Sequence, residues 1–134
     1  MWLSASLLEW YFDAVSAGAD LGIIGIMAKL GATALVVGVV LGVVGKQRPL
    51  LLFLLPIATA HAYVAAAAFF EGSMSYPSHY EAVAVPFLLT QLAICLYLVF
   101  KTARVAALFL AIFVLTYSWH AGFIGGMALS GDWL

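Results

Sequence analysis

LGIIGIMAKLGATALVVGVVLGVVGKQRP, residues 21–49, decides the fold. Its first 25 residues, 21–45, contain one charge, Lys29, and end at Gly45 before a sharp break into Lys46, Gln47, Arg48 and Pro49. An apolar run of about 20 residues is what a bilayer-spanning helix requires. A basic turn carrying a proline is where one span ends and the next begins, and Pro49 suits the first turn of a following helix.

The same pattern continues along the chain. A second apolar run covers 50–70, and EGSMSYPSHYE (71–81) is a polar loop with Gly72 and Pro77 as turn residues. A third run covers 83–100, starting near Pro86, and KTAR (101–104) interrupts it before a fourth at 105–128. The whole chain agrees: of 134 residues, 66% are hydrophobic and 8% charged, with mean hydropathy +1.16. A soluble domain carries about a quarter charged residues, so this chain cannot clothe a water-facing globule. The expected fold class is an all-α membrane protein: one domain over 1–134, with four transmembrane helices in an up-down bundle.

The charges sort by side. Lys46, Arg48, Lys101 and Arg104 fall in two turns on one side, and Glu9, Asp13, Asp20, Glu71, Glu81 and Asp132 on the other. Basic residues mark the cytoplasmic side, so the sequence predicts cytoplasmic turns and both termini outside, in the cell (inner) membrane. Trp2, Trp10 and Trp133 then fall at the outer boundary as interfacial anchors. Along 2–19 and the residue after it, Ser6, Glu9, Asp13, Ser16 and Asp20 recur at alternating spacings of three and four. That is a narrow polar stripe on an amphipathic helix lying on the outer surface, usable as an anchor or as a docking edge. With no basic residue ahead of its apolar run, this segment does not read as a secretory signal. No lipidation signal is present either.

Several function classes are excluded or unsupported. The single cysteine, Cys95, rules out disulfides within one chain, and the net charge of −1 gives no footprint for nucleic acid. No GxSxG, P-loop, HExxH or GxGxxG occurs, so the chain itself shows no catalytic motif. Gly38 and Gly42 form a GxxxG with Gly31 one heptad earlier; Ala65–Ala68 and the pair Gly122 and Gly126 are similar small-residue surfaces. Such seams let helices approach closely in lipid, either within the chain or between chains.

Each span also carries one strongly polar side chain at a similar depth. Lys29 is nine residues after Asp20, His61 ten before Glu71, Gln91 ten after Glu81, and His120 twelve before Asp132. These separations correspond to roughly 14–18 Å along the helices. Tyr117 adds a hydroxyl to this level, on a face with Thr116, His120, Ile124 and Met127. Lys29 shares a stripe with Gly22, Gly25, Ala32 and Thr33, a small-residue face expected to turn inward.

Intramembrane ionisable residues usually face an interior or cavity and carry function, so Lys29, His61, Gln91, Tyr117 and His120 are the candidate ligand-binding residues. Simpler uses exist for each: Lys29 can run its stem to the outer headgroups, and the others can hydrogen-bond between helices. As a site, His61 and His120 can ligate one haem b iron, or the layer can hold a quinone or another polar headgroup. No carboxylate shares this depth, which leaves a proton path or a two-histidine metal site poorly equipped. His79, beside Glu81 in the outer loop, is a separate candidate for a surface contact.

Two functions fit. The first is a small subunit that anchors or completes a larger membrane complex, redox chemistry with haem or quinone included. The second is a homo-oligomeric transporter or channel for a small polar or anionic solute.

Overall fold

The structure, a computed structural model, describes residues 23–73 and 78–131. The predicted surface helix 2–19, the tryptophan anchors, four of the six acids and the side chain of His79 lie outside the described residues. Four α-helices are described, with no strand among the described residues: α1 Ile23–Val43, α2 Leu54–Phe69, α3 Ser78–Thr102 and α4 Val105–Ser130. Three stretches are long and apolar enough to cross a membrane: Arg48–Phe69, Glu81–Thr102 and Val105–Ser130. Lys29–Val43 is a shorter apolar helix. The chain is a multi-pass helical membrane protein, and its apolar exterior contacts the bilayer.

The helix boundaries follow from local chemistry. A 3-10 helix, Arg48–Phe53, leads into α2, with Pro49 in its first turn. Pro56 follows in the first turn of α2. A proline ring clashes with the carbonyl four residues earlier, here Leu52, and the 3-10 winding covers that carbonyl. The third helix starts at Ser78 and runs through Pro86, so the last residues of the expected 71–81 loop are already helical. Glu81 lies in its first turn and Lys101 in its last, each of the sign that the helix dipole favours. Gly131 closes α4 at φ 71°, the left-handed conformation that glycine adopts without a Cβ penalty.

Packing is uneven. The α4 helix touches α1, α2 and α3 along their lengths, whereas those three make far fewer contacts with one another. Accordingly 56% of the most apolar α4 window is buried, against 22% for the corresponding window of α3. The last helix is a central post. Glycines let the others reach it. A Cβ at Gly31 of α1 would overlap the Tyr117 ring, and one at Gly125 of α4 would overlap the Tyr63 ring of α2. At Gly38 a Cβ would sit 3.9 Å from Leu110, an ordinary contact, while at Gly42 it would meet the movable end of Leu51.

The two ends differ in charge. The 3-10 helix packs against both α3 and α4, which brings the turn with Lys46 and Arg48 to the same end as Lys101 and Arg104. At the opposite end, the Gly72 N–H donates to the Ala128 carbonyl (3.0 Å), tying the segment after Glu71 to the end of α4.

Candidate functional site

The polar residues divide into three places rather than one layer. The first is a cluster of rings between α2 and α4. His61 lies one turn after Ile57, and its Nδ1 is 2.8 Å from the Ile57 carbonyl oxygen. A carbonyl only accepts, so Nδ1 carries a proton. In the neutral ring Nε2 is then the acceptor, and the Tyr117 hydroxyl, 3.0 Å away, donates to it. The two rings are tilted by 36° with centroids 5.3 Å apart. His120 follows Tyr117 by three residues on α4, with centroids 6.2 Å apart. It is buried, and its Nδ1 has no hydrogen-bond partner. The close approach at Gly31 holds the Tyr117 ring from the α1 side.

The second place lies between α2 and α3. Gln91 is 1% exposed and its Nε2 donates to the Thr59 hydroxyl (2.8 Å), which itself donates to the Pro56 carbonyl (3.0 Å). One turn along both helices, Tyr63 stacks on Phe87 with centroids 4.1 Å apart. The Gln91 Oε1 and the Tyr63 hydroxyl are buried without hydrogen-bond partners. Thr59 and His61 are two residues apart, about 200° around the helix. Gln91 therefore engages the side of α2 away from His61. Equal depth set no common direction.

Lys29 stands apart from both. It is two residues before Gly31, hence on nearly the opposite side of α1, and it is exposed together with Ala32 and Thr33. Of the stripe expected to turn inward, Lys29, Ala32 and Thr33 face outward, and Gly22 and the surroundings of Gly25 lie outside what the structure describes; Gly31, Ala34, Gly38 and Gly42 make the buried face. Apolar outer surface meets lipid as readily as apolar interior meets neighbouring helices, so composition alone did not reveal the face. The Thr33 hydroxyl bonds back to the Lys29 carbonyl (2.8 Å), which occupies the backbone and leaves the ammonium without a described partner.

Sequence reasoning passed over Thr59 and Tyr63. The signal for Tyr63 was present: a phenol inside an apolar helix brings a hydroxyl that wants a partner. Thr59 is visible only through its bond to Gln91. Among the described residues no cluster of three or more His, Cys, Asp or Glu is placed to hold a metal ion. Cys95 is a free, fully buried thiol in the core.

These features define a small, multi-pass α-helical membrane protein with polar pairs set into its helix interfaces. No family model, curated protein or solved structure matches the chain.

Proposed function

We propose that this protein is a small membrane subunit that completes a larger complex, docking through the outward face of α1. The observation that carries this reading is the exposure of Lys29. It sits six residues after Ile23 and fourteen before Val43, about 9 Å and 21 Å along the helix. A lysine held in the hydrocarbon region costs up to about 3 kcal/mol unless it is paired or reaches the headgroups. Ala32 and Thr33 beside it are small, so another helix can come close.

A partner of different sequence fits better than a second copy. A two-fold contact through this face would set Lys29 against Lys29. Of the described acids, Glu71 lies outside the apolar stretches and Glu81 is the first residue of one, so neither offers a mid-membrane counter-charge.

A photo-cross-linking residue at Thr33, in native membranes, tests this directly. The expected product is one reproducible adduct whose added mass is not a multiple of 14.3 kDa. Lys29→Met should reduce it more than tenfold, since stripping one member of a buried charge pair costs about 2–5 kcal/mol. Adducts only at multiples of the chain's own mass would support the homo-oligomeric transporter instead. An adduct indifferent to Lys29→Met would mean that the ammonium merely reaches the headgroups.

The His61, Tyr117 and His120 cluster is the proposed ligand site within that subunit. It favours a carbonyl-bearing headgroup such as a quinone over haem b. The His61 lone pair that would ligate iron already accepts the Tyr117 hydroxyl, whereas the unpartnered His120 Nδ1 can donate to a carbonyl in one tautomer.

For orientation, the proposal is that the basic turns are cytoplasmic and both termini outside, in the cell (inner) membrane. In a Cys95→Ser background, an impermeant maleimide added from outside should label a cysteine at Ser73 and spare one at Gln47. The reverse pattern would invert the topology.

A further inference from the structure

We infer that the basic end of the bundle holds the phosphate of an anionic phospholipid across its two turns. Four cations, Lys46, Arg48, Lys101 and Arg104, are exposed there, and the 3-10 helix packing against α3 and α4 gathers them at one end. The described acids, Glu71 and Glu81, are at the other end. Two of the cations have a local explanation. Lys46 follows the C-terminus of α1, and Lys101 sits in the last turn of α3 with its Nζ 5.4 Å from the Tyr97 ring centroid. Both offset the negative end of a helix.

The arginines differ: Arg104, two residues after Thr102, is also near the end of α3 but stands at the start of α4, and Arg48 is five residues past the end of α1. Arg48 is the first residue of the 3-10 helix and Arg104 is the N-cap of α4, and neither helix has a side-chain cap. A cation at the positive end of a helix is the wrong sign for its dipole. An anion between the two turns reverses that. A guanidinium fork suits the paired oxygens of a phosphate.

Lipid rather than soluble phosphate is indicated by what flanks the cations. Val44, Phe100 and Val105, immediately beside the two turns, are 76%, 80% and 74% exposed. Cationic and exposed apolar side chains are therefore neighbours along the chain at both turns, as a basic lipid-binding end of a helix bundle requires. This inference does not depend on the subunit reading, nor on which partner α1 meets.

The test uses the full chain in neutral detergent, exchanged against phosphatidylglycerol or phosphatidylcholine, with retained lipid counted by native mass spectrometry. Phosphatidylglycerol should be retained and phosphatidylcholine largely lost. Arg48→Gln with Arg104→Gln should weaken retention roughly 30-fold, as two headgroup contacts each contribute a factor of about five. Lys46→Gln with Lys101→Gln should weaken it less. Arg48→Lys with Arg104→Lys, which keeps the charge, should restore part of the retention and controls for misfolding. Equal retention of both lipids, or no loss in the arginine double variant, would overturn the proposal. So would displacement of phosphatidylglycerol by millimolar inorganic phosphate, which would make the ligand a free anion.

Discussion

Gly31→Ala is expected to destabilise the bundle by about 1–3 kcal/mol, the usual cost of forcing a methyl into a packed interior. The new Cβ would fall within the Tyr117 ring, against its Cβ and Cγ. That part of a side chain cannot move without moving α4. Because α4 is the post against which α2 and α3 also pack, the disturbance should not remain local. Displacing Tyr117 would also lengthen its bond to His61. Gly38→Ala is the matched control, since its methyl would meet Leu110 at 3.9 Å; it should change stability by less than about 0.5 kcal/mol. Gly42→Ala should fall between them, as the Leu51 side chain in its way can rotate. Equilibrium unfolding in mixed micelles reads all three. Equal losses at Gly31 and Gly38 would contradict the packing described, and Gly31→Ala with Tyr117→Ala should be less destabilised than the sum of the single changes.

The second large effect concerns the ring cluster. If His61 and His120 serve one ligand, His61→Ala and His120→Ala should each abolish the same bound species. Haem would be read by its Soret absorbance and quinone by solvent extraction of the purified protein. The double variant should then lose little more than either single one, because residues serving one ligand are coupled. If the rings are only structural, His61→Ala should cost roughly 0.6–2 kcal/mol, the range for interhelical hydrogen bonds in membranes. His120→Ala should then add its own separate loss, with no bound species missing. Tyr117→Phe sharpens the comparison, because it removes the hydroxyl that His61 accepts and leaves the ring against Gly31. Additive stability losses without a lost ligand would sink the site.

The two cases explain how far the chain could be read before its tertiary structure was seen. Burial of Gly31 is not visible in its spacing from Gly38, because small or apolar residues recur at every third or fourth position on most sides of α1. What identifies Gly31 is the ring that presses on it. Likewise, counting residues from the acidic ends placed Lys29, His61, Gln91 and His120 at one depth, and nothing in the structure disputes the depths. Their directions are another matter. His61 turns to Tyr117, Gln91 to Thr59 on the far side of the same helix, and Lys29 away from the bundle altogether.

The sequence by itself determined the solvent and the elements. Runs of about 20 apolar residues can satisfy their backbone in lipid only as helices, and turns of Gly, Pro, Lys and Arg mark where those helices end. It also determined the segregation of charge, since short basic turns between spans can lie on only one side. Which helix is central, and which way each polar side chain points, was decided by tertiary packing alone. In a soluble protein a polar stripe marks the outer face of a helix. Here lipid and protein interior are alike apolar, so the chain carries no contrast between inside and outside. At about 100° per residue, a place along the helix leaves the facing direction open until a neighbour such as Tyr117 or Leu51 claims one side.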